Sequence, residues 1–223
     1  MKLNLSQGLD LGRRLVLLMS GFVCYGIAIS LTVKAELGLG SWDVFHKGLS
    51  LYTPLSFGQA GQVTGLVIIL LSLFMGIRPG FGTVANMFFI GLWVDVIGNA
   101  QLIPAAAPIG GLLAQLTWIV ISILFMGLGS GLYIKADFGA GPRDSFMLAL
   151  VKRTGWRVAL CRAIMEVTIC IVGWLMGGTV GIATIIIAFA IGPAVELGFK
   201  ICRVKVHYSP KIIAPIAAAA DAG

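Results

Sequence analysis

Two strings in this chain carry the residues best suited to chemistry. Lys34 to Asp43 reads KAELGLGSWD, and Lys135 to Asp144 reads KADFGAGPRD. Gly38 and Gly40, like Gly139 and Gly141, permit tight backbone turns. Ser41 is a good helix N-cap, and Pro142 suits the first helical position. Each string therefore reads as a glycine turn opening into a short helix. Asp43 and Asp144 then fall in the first turn, where a carboxylate complements the helix dipole. The chemistry this suggests is capture of a small anion by helix starts and by Lys34, Lys135 and Arg143, with protons or cations taken up by the two aspartates. The plain alternative is that the acids only cap their helices and the lysines only anchor at an interface.

A second acidic pair, Asp95 and Glu196, sits near the ends of two apolar runs, as coupling groups or as caps. Glu166 lies mid-run with Arg162 one turn earlier. At that spacing the two can neutralise one another, or a desolvated Glu166 can relay protons; both readings make them coupling or gating candidates. His46 and His207 stand alone in sequence, and the four cysteines form no CxxC pair, so neither a metal nor a redox centre is expected. The chain lacks GxSxG, HExxH, Walker and dinucleotide signatures. An enzyme and a cofactor are not expected.

The elements that must position these residues are membrane spans. Of 223 residues, 58% are hydrophobic and 11% charged, and mean hydropathy is +0.99. About 25% charge is usual in a soluble domain, so this is an integral, all-α, polytopic membrane protein. A span needs about 20 mostly apolar residues, and six stretches qualify: 13–33, 57–77, 81–100, 112–134, 157–177 and 180–200. The two polar, glycine-rich segments 34–56 and 135–156 are read as re-entrant or half-helix elements. Helix starts inside a bilayer must be buried in protein or line a wet cavity.

The halves repeat at an offset of 101 residues, which carries Lys34 onto Lys135. Gly38, Gly40, Asp43 and Phe45 fall on Gly139, Gly141, Asp144 and Phe146; Gly76, Gly80, Thr83 and Gly91 fall on Gly177, Gly181, Thr184 and Gly192. Repeat 1 covers about 12–100 and repeat 2 about 112–201. A linker at 101–111 separates them, and a low-complexity tail at 211–223 follows. Three spans per half invert the second copy, which would bring both strings toward one interior. With the N-terminus in the cytoplasm, Arg13, Arg14, Arg78, Lys135, Arg143, Lys152, Arg153, Arg157, Lys200, Arg203 and also Lys2, Lys205 and Lys211 are expected inside, and Lys34 and Lys47 outside. Were the polar segments to cross, eight spans would result and Arg78 would move outside. The formal net charge of +7 thus marks topology and not a nucleic-acid partner.

The second half, with its GPRD string, its Arg–Glu span and its GGTVGIAT turn, closely resembles the YczE family of bacterial membrane proteins, which is related to the YitT group. The likeness runs from about Leu15 to Phe199. It implies a bacterial cytoplasmic (inner) membrane location and supplies no substrate. In the first half, Ser41 and Trp42 replace the proline and arginine of GPRD. The function expected is a transporter or permease for a small solute, an anion preferred, with its site where the inverted repeats meet and both termini cytoplasmic. A non-transporting membrane regulator or assembly partner, or a lipid-handling protein, is the alternative. The partners expected are the lipid bilayer and a solute, with a second copy of the chain left open.

Overall fold

The computed structural model describes residues 5–204, all helix and connecting turn. Lys2, Lys205, His207, Lys211 and the tail at 211–223 lie outside the described residues. Eight helices follow in order: α1 (Leu5–Ala35), α2 (Ser41–Tyr52), α3 (Phe57–Phe74), α4 (Phe81–Asn99), α5 (Ala107–Lys135), α6 (Pro142–Thr154), α7 (Val158–Leu175) and α8 (Ile182–Cys202). All but α2 and α6 are long and apolar enough to cross a bilayer. Helix α1 begins at Leu5, well before its apolar run. Helix α5 contains a break at Gly110 and Gly111, where Gly111 takes φ 56; the continuous span begins at Leu112.

The offset read from the sequence is a property of the backbone. Glu36 and Asp137 both adopt left-handed φ, 57 and 56, and Gly38 and Gly139 take 109 and 111. Gly76 and Gly177, which end α3 and α7, take 85 and 82. The hydroxyls of Thr83 and Thr184 each accept the amide N–H three residues back, from Gly80 and Gly181, at 3.1 Å. Buried packing is duplicated too: Leu18, Phe22 and Ala35 occupy one core cluster or its mate, and Ile119, Ile123 and Ala136, one offset on, do the same.

The second copy is inverted. Along the α1–α5 seam the early part of α1 meets the end of α5, and the end of α1 meets the start of α5. Arg14 Nε donates to the Ala136 carbonyl at 2.9 Å, Tyr25 and Ser130 hydroxyls meet at 2.5 Å, Thr32 and Ser122 at 2.6 Å, and Ala106 N–H donates to the Lys34 carbonyl at 3.0 Å. The helices are therefore antiparallel. Their approach depends on glycine: a Cβ on Gly21 would lie 2.9 Å from the Gly129 carbonyl, and one on Gly129 would lie 2.9 Å from that of Gly21. Small residues at such seams let membrane helices touch backbone to backbone.

Helices α2 and α6 re-enter. Trp42, in the first turn of α2, touches Glu166 in the middle of α7; further along, Phe45 and Gly48 lie against Gly173 and Met176, and Leu51 against Gly177. Thus α2 climbs from mid-depth back to the face where α1 ended. Helix α6 does the mirror movement. It starts beside Asn86 and ends with Lys152 near Gly76, at the other face. The turns before the two helices cross over between repeats: Gly82 N–H donates to the Phe138 carbonyl at 2.8 Å and Ala183 N–H to the Leu37 carbonyl at 2.9 Å. These are equivalent bonds by the same offset, and they satisfy helix-start amides that lipid cannot.

Candidate functional site

The two half-helix starts meet between the repeats. Trp42 and Arg143 are equivalent by the offset, and the Arg143 guanidinium carbon lies 4.8 Å from the Trp42 ring centroid, a cation–π stack. The Trp42 indole N–H donates to Glu166 Oε1 at 3.0 Å. Glu166 is the ninth residue of an 18-residue helix, so this contact lies near the middle of a rise of about 27 Å. Asp43 is 5% exposed, with Oδ1 3.4 Å from Nδ1 of buried His46 and no hydrogen bond to that oxygen. Its mate Asp144 is half-buried; the Tyr133 hydroxyl donates to it at 3.4 Å, and it lies within electrostatic reach of Arg162, Arg143 and Glu166.

Two arginines at this level form no ion pair within 4 Å. Among the described residues the ion pairs within 4 Å are Arg14–Asp137 and His46–Asp43. Neither includes Arg143 or Arg162, and both arginines are exposed in the single chain. The helical Arg162–Glu166 pairing does not close: Glu166 takes the indole of Trp42 instead, because α2 brings that donor to it.

The remaining sequence candidates divide. Ser41 and Asp43 start α2, and Arg143 and Asp144 start α6, so these four converge. Gly38 and Gly139 hold the preceding turns; a Cβ on Gly38 would come within 2.5 Å of the Gly181 amide. Gly40 and Gly141 take the N-cap positions and no side chain caps either start, so Ser41 is the first helical residue of α2 and not the N-cap expected, whereas Pro142 is first in α6. The lysines stand elsewhere. The Lys135 ammonium donates to the Cys202 carbonyl at 2.6 Å and caps α8. Lys34 sits in the last turn of α1, at the opposite face. Asp95 is also remote, accepting the Gly58 N–H at 2.9 Å and the Ser56 hydroxyl. Glu196 is exposed near the end of α8. Trp42, His46 and Tyr133 are the contacts sequence reasoning missed. The i, i+3 spacing of Asp43 and His46 was a usable signal; Tyr133 offered none.

The profile of a family of unknown function, DUF6198, matches residues 12–200. The chain belongs to the DUF6198 family. It is 34% identical to the uncharacterized membrane protein YczE of Bacillus subtilis over 175 residues, 78% of this chain and 79% of that one. It is 30% identical to an uncharacterized protein of Haemophilus influenzae over 176 residues, 79% of this chain and 78% of that one. No solved structure matches. The DUF6198 region contains both half-helices and every residue of the central constellation.

Proposed function

We propose that this protein is a permease for a small anion such as a carboxylate or phosphate, working in the bacterial cytoplasmic membrane with its basic face and both termini toward the cytoplasm. The observation that carries the reading is the pair of guanidiniums, Arg143 and Arg162, held at the half-helix starts without a carboxylate within 4 Å. Charge within a membrane is costly and is kept where it serves a pathway or a ligand. Arginine presents a planar fork that matches carboxylate and phosphate geometry. Trp42 fixes one face of the Arg143 fork by stacking, which leaves its edge free for an anion. The amides of two helix starts add positive potential from the chain itself. Asp43, buried with Oδ1 3.4 Å from His46 Nδ1 and no hydrogen bond to that oxygen, is the group offered for coupling.

Reconstitution into liposomes tests this. Acetate, lactate, phosphate and sulfate are offered under an imposed pH gradient. Arg143→Gln and Arg162→Gln should each lower uptake by about ten- to a hundredfold, the worth of a charge-assisted hydrogen bond or two, and leave the elution profile in detergent unchanged. Wild-type liposomes that move none of these anions, or arginine variants that transport normally, would defeat the reading.

A further inference from the structure

Two inverted copies of one fold place every residue opposite a mate one offset away, and mates share surroundings only if the copies share a conformation. At one seam they do not. In the first repeat α3 lies closed on α4. A Cβ on Gly91 would come within 2.5 Å of the Gly58 carbonyl, and one on Gly65 within 2.6 Å of the Met87 side chain. Asp95 of α4 bolts this seam by accepting the Gly58 N–H at 2.9 Å and the Ser56 hydroxyl, so it caps the start of α3. In the second repeat Gly192, the mate of Gly91, has nothing within 4 Å of a Cβ. Helix α7 leans on α2 and α6 and forms no packed seam with α8. Glu196, the mate of Asp95, makes no hydrogen bond among the described residues and is exposed; Arg157 and Ala159, the mates of Ser56 and Gly58, are exposed as well. No side chain caps the start of α7.

We infer that the chain has a second state in which α7 closes on α8 and α3 parts from α4, and that Glu196 is the bolt of that state, taken up by Arg157 and by the Ala159 N–H. This rests on the permease reading for its purpose, because Arg162 is carried by α7, the helix that moves. The residue differences between the seams fit one another. Ala159 in place of Gly58 holds its helices one methyl further apart; Glu196 in place of Asp95 reaches one methylene further, and Arg157 reaches further than Ser56. Each repeat thus carries an acid on its last helix that caps its middle helix, set to the width of its own seam. Closing one seam while opening the other exchanges the conformations of the two copies, which is the rocking that inverted repeats make available.

The test reads the gap directly and needs no transported solute. Cys24, Cys161, Cys170 and Cys202 are replaced by alanine, Gly192→Cys is added, and the rate of labelling by a membrane-impermeant maleimide is measured in liposomes and detergent. Labelling is expected in this parent. Asp95→Asn, which loosens the closed seam, should slow it about threefold or more as the second state gains population. Glu196→Gln should keep it at the parental rate or above and lower anion turnover about tenfold. The charge reversal Glu196→Arg with Arg157→Glu should recover turnover, a rescue that a folding defect would not show. A parent that fails to label, its gap filled by lipid or a second copy, overturns the inference, as does Asp95→Asn labelling at the parental rate or Glu196→Gln turning over normally. If labelling shifts as expected while no anion moves, the two states stand and the permease reading falls.

Discussion

At the scale of residues, the distinctive feature is a set of charges that do not neutralise one another. Asp43 lies buried with one oxygen unbonded, next to an imidazole that can itself be neutral. A buried carboxylate oxygen without a hydrogen bond is costly to the fold. Asp43→Asn keeps the shape and removes the carboxyl group. The expected result is a folded protein with a melting temperature equal to or above wild type. Uptake in liposomes should then run only to equilibrium and no longer respond to an imposed pH gradient. Gradient-driven accumulation by the asparagine variant would remove the pair from coupling. Trp42 has two separable contacts, a ring face under Arg143 and an indole N–H on Glu166. Trp42→Phe keeps the first and deletes the second. A lost hydrogen bond to a charged group is worth about 1.5–3 kcal/mol, so this variant should melt several degrees lower while retaining more anion binding than Trp42→Ala, as isothermal titration with phosphate would show.

At the scale of elements, much of the architecture was legible because membrane helices announce themselves by apolar length and their ends by glycine, proline and threonine. The half-helices were legible from GLGSWD and GAGPRD, since Gly38 and Gly139 permit the left-handed turn that each takes before its helix. What was not legible was how deep each turn would reach and what it would meet. The Trp42–Arg143 stack joins residues from different repeats across the pseudo-axis, and no spacing within either string encodes that contact. Lys135 misled for the same reason: its role is set by the end of α8, far along the chain but adjacent in space. The seam between α1 and α5 has a prediction of its own. Gly129→Val places a branched side chain where even a Cβ would crowd the Gly21 carbonyl at 2.9 Å, and overpacking of this kind costs about 1–3 kcal/mol or more. It should lower the melting temperature in detergent and the yield of monodisperse protein. Gly98→Ala, on α4 with nothing within 4 Å, should be neutral or gain up to about 1 kcal/mol from helix propensity. Equal behaviour of the two would mean that α1 and α5 do not pack this closely.

At the scale of the whole molecule, the antiparallel α1–α5 seam and the two re-entrant helices divide the basic residues between faces. Arg13, Arg14, Arg78, Lys152, Arg153, Arg157, Lys200 and Arg203 gather where α1 begins and α8 ends, and Lys34 and Lys47 lie toward the other face. Retention of cationic loops in the cytoplasm would turn the basic face inward, the orientation proposed above. Tyr52 and Arg153 are mates by the offset, each close to the end of its half-helix and each exposed. Were the repeats parallel, mates would emerge on one side; inverted, they must emerge on opposite sides. Tyr52→Cys and Arg153→Cys, introduced singly into the cysteine-free chain in intact bacteria, separate the cases. The impermeant maleimide should reach the cysteine at 52 from outside the cell. It should reach the one at 153 only after the membrane is opened, with a permeant maleimide labelling both. Reaction of both positions from the same side would contradict the inversion, and with it the meeting of the two half-helix starts on which the anion site depends.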